Sequence, residues 1–396
     1  MRALDGRKLW FAGVGGAGLS AYAVLARAWG ADVAGWDRYE TPYLAYVREA
    51  GIPVAVTEAP AVPDGFEAIV STAFASLVPG RTRAELLSEL VALRDSIVVA
   101  GAHGKTTTTA MIAYVLRELG RDPAFLIGGE VPQLGGNAGT GDGTLVVEGD
   151  ESDRTIESLR PRVAVVLNVD LDHHSTFGSR AEVQELFDRW LTHVPEVVRG
   201  DELEPVEFEL AVPGEHNRLN AAAALAALAH AGVERSDAIG PLSAFRGVGR
   251  RLELRGEAGG VTLIDDYAHN PPKLAAALAA VRERYPDARV LVLFQPHLYS
   301  RTRHPARELA VSLAAADVVA VADVYPAREE PVAGVTGKLV VDAFSEVRPG
   351  APVAWTPRIE DGAAFLARRA RPGDVIVTVG AGDVDGAIPL LEAALS

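Results

Sequence analysis

The stretch GAHGKTTTT, residues 101–109, sets a lysine and a row of hydroxyls directly after a glycine. Gly-Lys-Thr closes a phosphate-binding loop, whose backbone N–H groups and lysine cradle phosphate oxygens while the hydroxyl reaches a magnesium ion. The spacing is shorter than the usual G-x-x-x-x-G-K-[ST], since Gly101 is the nearest glycine before Gly104. The chain writes arginine almost everywhere and has lysine only at 8, 105, 273 and 338. A compact ammonium on a flexible stem suits Lys105 to a phosphate tail. Two acidic groups follow, Glu148, Asp150, Glu151 and Asp153 in EGDESD, then Asp170 and Asp172 with His173 and His174 in DLDHH. Carboxylates beside a phosphate loop point to Mg²⁺, a hard cation that takes carboxylate and phosphate oxygens together. Further polar clusters stand at Asp265, Asp266, Tyr267 and His269, and at Gln295, His297, Ser300 and Arg301.

These groups need elements that present them at one edge. KLWFA reads as a buried strand, GVGGAG as a turn, LSAYAVLARAWG as a helix, and ADVAGWD as a second strand ending at Asp37. Gly13, Gly15 and Gly18 fit G-x-G-x-x-G, so backbone can approach a pyrophosphate at a helix N-terminus, and Asp37 is placed to meet ribose hydroxyls. A nicotinamide dinucleotide and another nucleotide diphosphate satisfy that pattern equally, and a tight turn without ligand also fits it. SIVVA runs as a strand into the 101–107 loop, and the helix after it completes the order a phosphate loop requires. The acidic groups end the strands GTLVVE and RVAVVLNV, at the sheet edge where open parallel sheets place ligands. His216, Asn217 and Asn220 share one face near the start of a helix. Four strands of the last third, ending near Asp266, Gln295, Asp323 and Gly380, repeat the pattern as a second doubly wound sheet.

The expected fold is α/β in three domains: a Rossmann-like domain over 1–95, a phosphate-loop ATPase domain over 96–245, and a second Rossmann-like domain over 246–396. The length of 396 residues agrees with roughly two to four domains. The net charge is −15 with no basic run, which speaks against a nucleic-acid partner. No apolar run reaches the ~18 residues of a membrane span, and the N-terminus has no signal-peptide pattern, so a cytoplasmic location is expected. With no cysteine there is no disulfide, thiolate zinc site or cysteine nucleophile.

Taken in order, GVGGAGLS, GAHGKTTTT, EGDESD, PGEHNRLN, GVGRR, DDYAHNP, FQPHLYSRT and PGDVIVTVGAGD resemble the Mur ligases of peptidoglycan synthesis, over about residues 8 to 385. The resemblance is strongest to the branch that adds alanine. It implies ATP-driven amide formation between the lactyl carboxylate of UDP-N-acetylmuramate and the amine of L-alanine, through an acyl phosphate, with Mg²⁺. It makes the first domain a UDP-sugar site built on Gly13, Gly15, Gly16, Gly18, Ser20, Asp37 and Ser71. Gly101, His103, Gly104, Lys105, Thr106, Thr107, His216, Asn217, Asn220, Arg251 and Asp266 become the ATP site. Thr106, Glu148 and His173 become metal ligands, and Tyr267, His269, His297 and Arg301 line the amino-acid pocket. Lys105, His173, His269 and Arg301 are the residues expected to carry the reaction, in a monomer or homodimer.

Three positions depart from the family pattern: Leu298 stands where an arginine is usual, Asn270 where a second histidine is usual, and Ser175 where aspartate is usual. Two segments are short, after Ala73 and between His173 and Pro213. There is no lysine between Lys105 and Lys273, so the carbamylated lysine of several sister ligases has no counterpart. A murein-tripeptide recycling ligase, a non-catalytic nucleotide-binding relative and a dinucleotide-dependent dehydrogenase are the competing readings. FQPHLYSRT argues against the first of these, Lys105, Glu148 and His173 against the second, and the 101–107 loop against the third.

Overall fold

The computed structural model describes residues 2–171, 176–327 and 329–396. Strands and helices alternate along most of the chain, and the strands form three sheets. The first holds β1 (Lys8–Ala12), β2 (Asp32–Asp37), β3 (Val54–Val56), β4 (Glu67–Val70) and β5 (Arg81–Thr82) in the order β3-β2-β1-β4-β5, all parallel. The second holds β6 (Ser96–Ala100), β7 (Ala124–Val131), β8 (Gly136–Thr140), β9 (Leu145–Glu148), β10 (Val163–Val166) and β11 (Glu196–Arg199) in the order β11-β10-β6-β9-β7-β8. Only the β7–β8 pair is antiparallel there. The third holds β12 (Glu253–Ala258), β13 (Val261–Asp266), β14 (Val290–Phe294), β15 (Val318–Val321), β16 (Val353–Trp355) and β17 (Val375–Val379) in the order β12-β13-β17-β14-β15-β16, with β12 antiparallel at one edge.

Central strands such as β6 and β14 are buried along their whole length. Helices cover both faces of a parallel sheet, so such strands read as unbroken apolar runs. In the first and second sheets the strand order reverses at β1 and β6, and the loop after each of these strands opens at that reversal.

The chain divides into two compact units, residues 1–209 with 219–245, and residues 210–218 with 246–396. Within the first unit the two sheets share one apolar core that includes Leu25, Trp29, Leu126, Leu145 and Trp190. The Trp29 indole donates to the Gly141 carbonyl at 3.3 Å, and the Arg94 guanidinium lies 4.2 Å over its ring. The second unit packs one apolar layer on each face of its sheet. Among the described residues no helix is long and apolar enough to cross a membrane.

Candidate active site

In the first unit the glycine loop after β1 is drawn tight by its own surroundings. Gly13 has φ of 85°, and a Cβ there would stand 2.8 Å from the Phe74 ring and 3.0 Å from the Ser71 side chain. Ser71, at the end of β4, is thereby set beside the loop. The Asp37 carboxylate accepts from the Gly15 N–H at 2.8 Å and from the Arg38 N–H at 2.8 Å, so β2 holds the loop through its last residue. Gly16 precedes the helix Ala17–Ala28, whose first turn carries Gly18 and the buried Ser20. The Arg83 side chain reaches Gly18, within 3.5 Å of where a Cβ would be. Nothing in the sequence links Arg83 to the loop, because it opens a helix remote from it.

The phosphate loop follows β6. The Gly104 N-cap has φ of 85° and the helix Lys105–Glu118 begins directly after it, aiming its N-terminal N–H groups at the loop. Lys105 Nζ donates to the Gly101 carbonyl at 2.6 Å and to both oxygens of Glu151 at 2.9 and 3.0 Å. Thr106 Oγ1 donates to Glu148 Oε2 at 3.1 Å, and Glu148 Oε1 accepts from the Gly128 N–H at 2.5 Å. The Asn168 side chain clamps the loop by accepting from the His103 N–H at 2.9 Å and donating to the His103 carbonyl at 3.0 Å. Asn168 stands just past β10, the neighbour of β6, and the only signal for it is a polar residue closing an apolar run. Thr107 lies half-buried in the first helical turn. His173 falls outside the described residues, as do Asp172, His174 and Ser175. Among the described residues no three His, Cys, Asp or Glu side chains gather as a metal-binding group.

The helix Glu215–His230 gives Asn220 to the first unit and His216 and Asn217 to the second. Asn220 is 8 % exposed, and its Oδ1 lies 2.4 Å from where a Gly104 Cβ would be. Asn217 donates back to the Pro213 carbonyl at 2.7 Å. Burial, with the Arg251 charge nearby, lowers the His216 pKa and favours the neutral ring.

In the second unit the site residues stand at the carboxyl ends of β13, β14 and β15. The Asp266 carboxylate accepts from the Leu252 N–H at 2.8 Å and the Ala268 N–H at 2.7 Å, and burial raises its pKa against the pull of Arg251. Arg250 and Arg251 lie 5.3 and 5.1 Å from the Tyr267 ring centre. Arg250 is the strut: it donates to Asp265 at 2.9 Å, to the Gly382 carbonyl at 2.9 Å and to the Gly380 carbonyl at 2.8 Å. The Tyr267, His269, His297 and Tyr325 rings form a chain with centres 5.6, 5.8 and 5.9 Å apart, and the last pair is stacked at 12°. Burial first, then the Arg301 charge, lowers the His297 pKa. Arg301 is carried by the short helix Ser300–Arg303. Leu298 holds a left-handed backbone with φ of 66°, its N–H bonded to the Tyr325 carbonyl at 2.9 Å.

The arrangement defines a nucleotide-dependent α/β enzyme with a phosphate loop in its second sheet and a basic, histidine-rich cluster at the edge of its third. Residues 8–94 match the model of the Mur ligase family catalytic domain, 99–199 the Mur ligase middle domain, and 250–382 the Mur ligase glutamate ligase domain. UDP-N-acetylmuramate–L-alanine ligase of Streptomyces coelicolor is 38% identical over 94% of this chain and 94% of its own length. The enzyme of the same name from Rubrobacter xylanophilus is 38% identical over 96% and 98%. The solved UDP-N-acetylmuramate–alanine ligase of Thermotoga maritima superposes with a TM-score of 0.77 at 27% identity, covering 97% of this chain and 98% of that one. The chain belongs to the Mur ligase family. Its three sheets are the three-domain α/β fold of that family, as the sequence leads one to expect.

Proposed function

We propose that this Mur ligase joins L-alanine to the lactyl carboxylate of UDP-N-acetylmuramate at the expense of ATP, in the synthesis of peptidoglycan precursors. The observation that carries the reading is the phosphate loop: Lys105 and Thr106 sit at the carboxyl end of β6, with two glutamates of the β9 end bonded to them. The full-length relatives named for this reaction supply the substrate pair.

A carboxylate is a poor acyl donor, so it must first be phosphorylated, which requires anionic oxygens clamped and the attack held in line. Lys105 and the loop N–H groups of residues 101–107 hold the terminal phosphates. Asn217, Asn220 and His216 hold the adenine, Asp266 the ribose, and Arg251 reaches the phosphates. The adjacent oxygens of Thr106 and Glu148, 3.1 Å apart, form the hard donor pair that Mg²⁺ prefers. When bound there, Mg²⁺ neutralises phosphate charge; His173 is a further ligand in this reading. Gly13, Gly15, Gly16, Gly18, Ser20, Ser71 and Asp37 seat the UDP-sugar. Tyr267, His269 and His297 shape the alanine pocket, and the planar fork of Arg301 pairs with the alanine carboxylate. A nucleotide sugar and ATP as substrates go with a cytoplasmic location.

The test is phosphate release from ATP and Mg²⁺ with UDP-N-acetylmuramate, comparing L-alanine, glycine, L-serine and the murein tripeptide. Release that needs both the sugar nucleotide and L-alanine is the expected result. Release with the tripeptide and not with alanine would move the chain to the recycling reaction. No release with any acceptor would overturn the reading.

A further inference from the structure

Two glutamates of one short segment divide the phosphate loop between them. Glu148 is turned to Thr106 and Gly128, while Glu151 is turned to Lys105. Glu151 is only 2 % exposed, whereas the Lys105 side chain is 18 % exposed. A tight turn holds Glu151 there: Asp150 Oδ1 accepts from the Ser152 N–H at 2.8 Å, and the Arg154 N–H donates to the Glu151 carbonyl at 3.1 Å.

We propose that Glu151 is the resting partner of Lys105, a built-in anion that occupies the loop ammonium as a nucleotide phosphate does and is exchanged when nucleotide binds. The proposal rests on the phosphate-loop reading and adds a positioning residue to it. A buried carboxylate and an ammonium each need the other, because either alone is left uncompensated in a low dielectric. Glu151 therefore holds the Lys105 ammonium inside the loop while the loop holds no nucleotide. An arriving polyphosphate brings its own negative charge to the same ammonium. It meets Glu151 as a like charge at short range, and affinity is lowered by that competition.

The consequence is a substitution that strengthens binding. Glu151→Gln keeps the shape and one acceptor for the ammonium but removes the charge. ADP, which is not turned over, should then bind the full chain more tightly by on the order of tenfold in isothermal titration. The gain should vanish in a Lys105→Ala background, because the competition that Glu151→Gln relieves is competition for that ammonium. A residue with only a structural role would weaken binding, and its effect would not depend on Lys105. If Glu151→Gln does not fold, Glu151→Asp asks the same question: the shorter carboxylate loosens the pair and should tighten ADP binding by a smaller factor. Unchanged or weaker ADP binding in the folded variant, with Lys105→Ala still weakening it, overturns the proposal and leaves the phosphate loop standing. ADP binding that ignores Lys105→Ala sinks the phosphate-loop reading itself.

Discussion

Removing the Arg250 side chain tests how the third sheet presents its site. Arg250 donates to Asp265 at 2.9 Å and to the carbonyls of Gly382 and Gly380 at 2.9 and 2.8 Å, and it lies 3.4 Å from the half-exposed Asp385 carboxylate. Asp265 has no exposed surface and keeps one further partner, Thr378 Oγ1 at 2.6 Å. Arg250→Ala loses two neutral-acceptor hydrogen bonds worth about 1 kcal/mol each, whatever the pH. It also strands a buried carboxylate, which brings the expected total to about 3–5 kcal/mol near neutrality. The second part depends on pH, and its sign is fixed. Burial raises the Asp265 pKa, while Thr378 and Arg250 hold it down. Without Arg250 it rises further, so the native state binds more protons than the unfolded chain and stability falls as pH climbs through that window. The deficit should be largest at alkaline pH and fall toward about 2 kcal/mol in acid, once Asp265 is protonated and is no longer a stranded charge. Urea unfolding followed by circular dichroism at both pH values reads the total, and hydrogen exchange along β17 reads the local part. Arg250→Lys restores the charge but not the fork, so it should keep a deficit of about 2 kcal/mol that is flat with pH. A deficit in Arg250→Ala below about 1 kcal/mol, or equal at both pH values, would refute the strut.

Lys105→Ala should abolish ATP turnover in a chain that still folds, with a melting point lowered because Glu151 loses its partner, and a folded variant that still releases phosphate would remove the loop from the mechanism. Gly104→Ala puts a Cβ 2.4 Å from Asn220 Oδ1 on a backbone with φ of 85°, so nucleotide affinity should fall at least tenfold, a loss of about 1.4 kcal/mol; titration with ADP checks it. Arg301→Ala should raise the KM for alanine far more than the KM for ATP, and equal rises would mean that Arg301 does not read the amino acid. In the first sheet Arg7 and Arg81 each bridge Glu67 and Glu89, and these pairs outweigh burial and hold both carboxyls below their ordinary range. Arg7→Ala should therefore cost about 1 kcal/mol or less at neutral pH, given that the Arg7 side chain is 33 % exposed, and the cost should fade as acid titrates the glutamates; acid-dependent urea midpoints measure it.

The strand ends were legible because buried parallel strands read as apolar runs and their polar successors stand out against them. β1 to Gly13, β6 to Gly101, β13 to Asp265 and β14 to Gln295 all follow that rule. The β7–β8 hairpin did not, since its segments are rich in glycine and carry weak strand propensity. Gly139 faces the Phe125 ring so closely that a Cβ would stand 2.1 Å from it, a packing reason that no propensity contains. The antiparallel β12 was hidden by a register shift between Leu254 and Gly256, which breaks its alternation. Nor could neighbours of one type be told apart. Glu148 and Glu151 are both acids of EGDESD, and Arg250 and Arg251 are adjacent. The turn after β9, closed by Arg154 at φ of 61°, and the left-handed Arg250 at φ of 57° decide which side chain faces which partner.

The same device stands at both strand edges, with opposite uses. Each places a cation against a buried carboxylate of a nearby strand end: Lys105 on Glu151, and Arg250 on Asp265. A guanidinium offers five donors in a rigid fork, and Arg250 spends its fork on the carboxylates of Asp265 and Asp385 and on two backbone carbonyls, so no single competitor can dislodge it. An ammonium is a point charge on a flexible stem, and Lys105 is held by one carboxylate and one carbonyl that a phosphate can replace without moving the strand. The residue type thus separates scaffold from working part: exchanging the two chemistries, with lysine at 250 or arginine at 105, should loosen the third sheet in the first case and lock the phosphate loop onto Glu151 in the second.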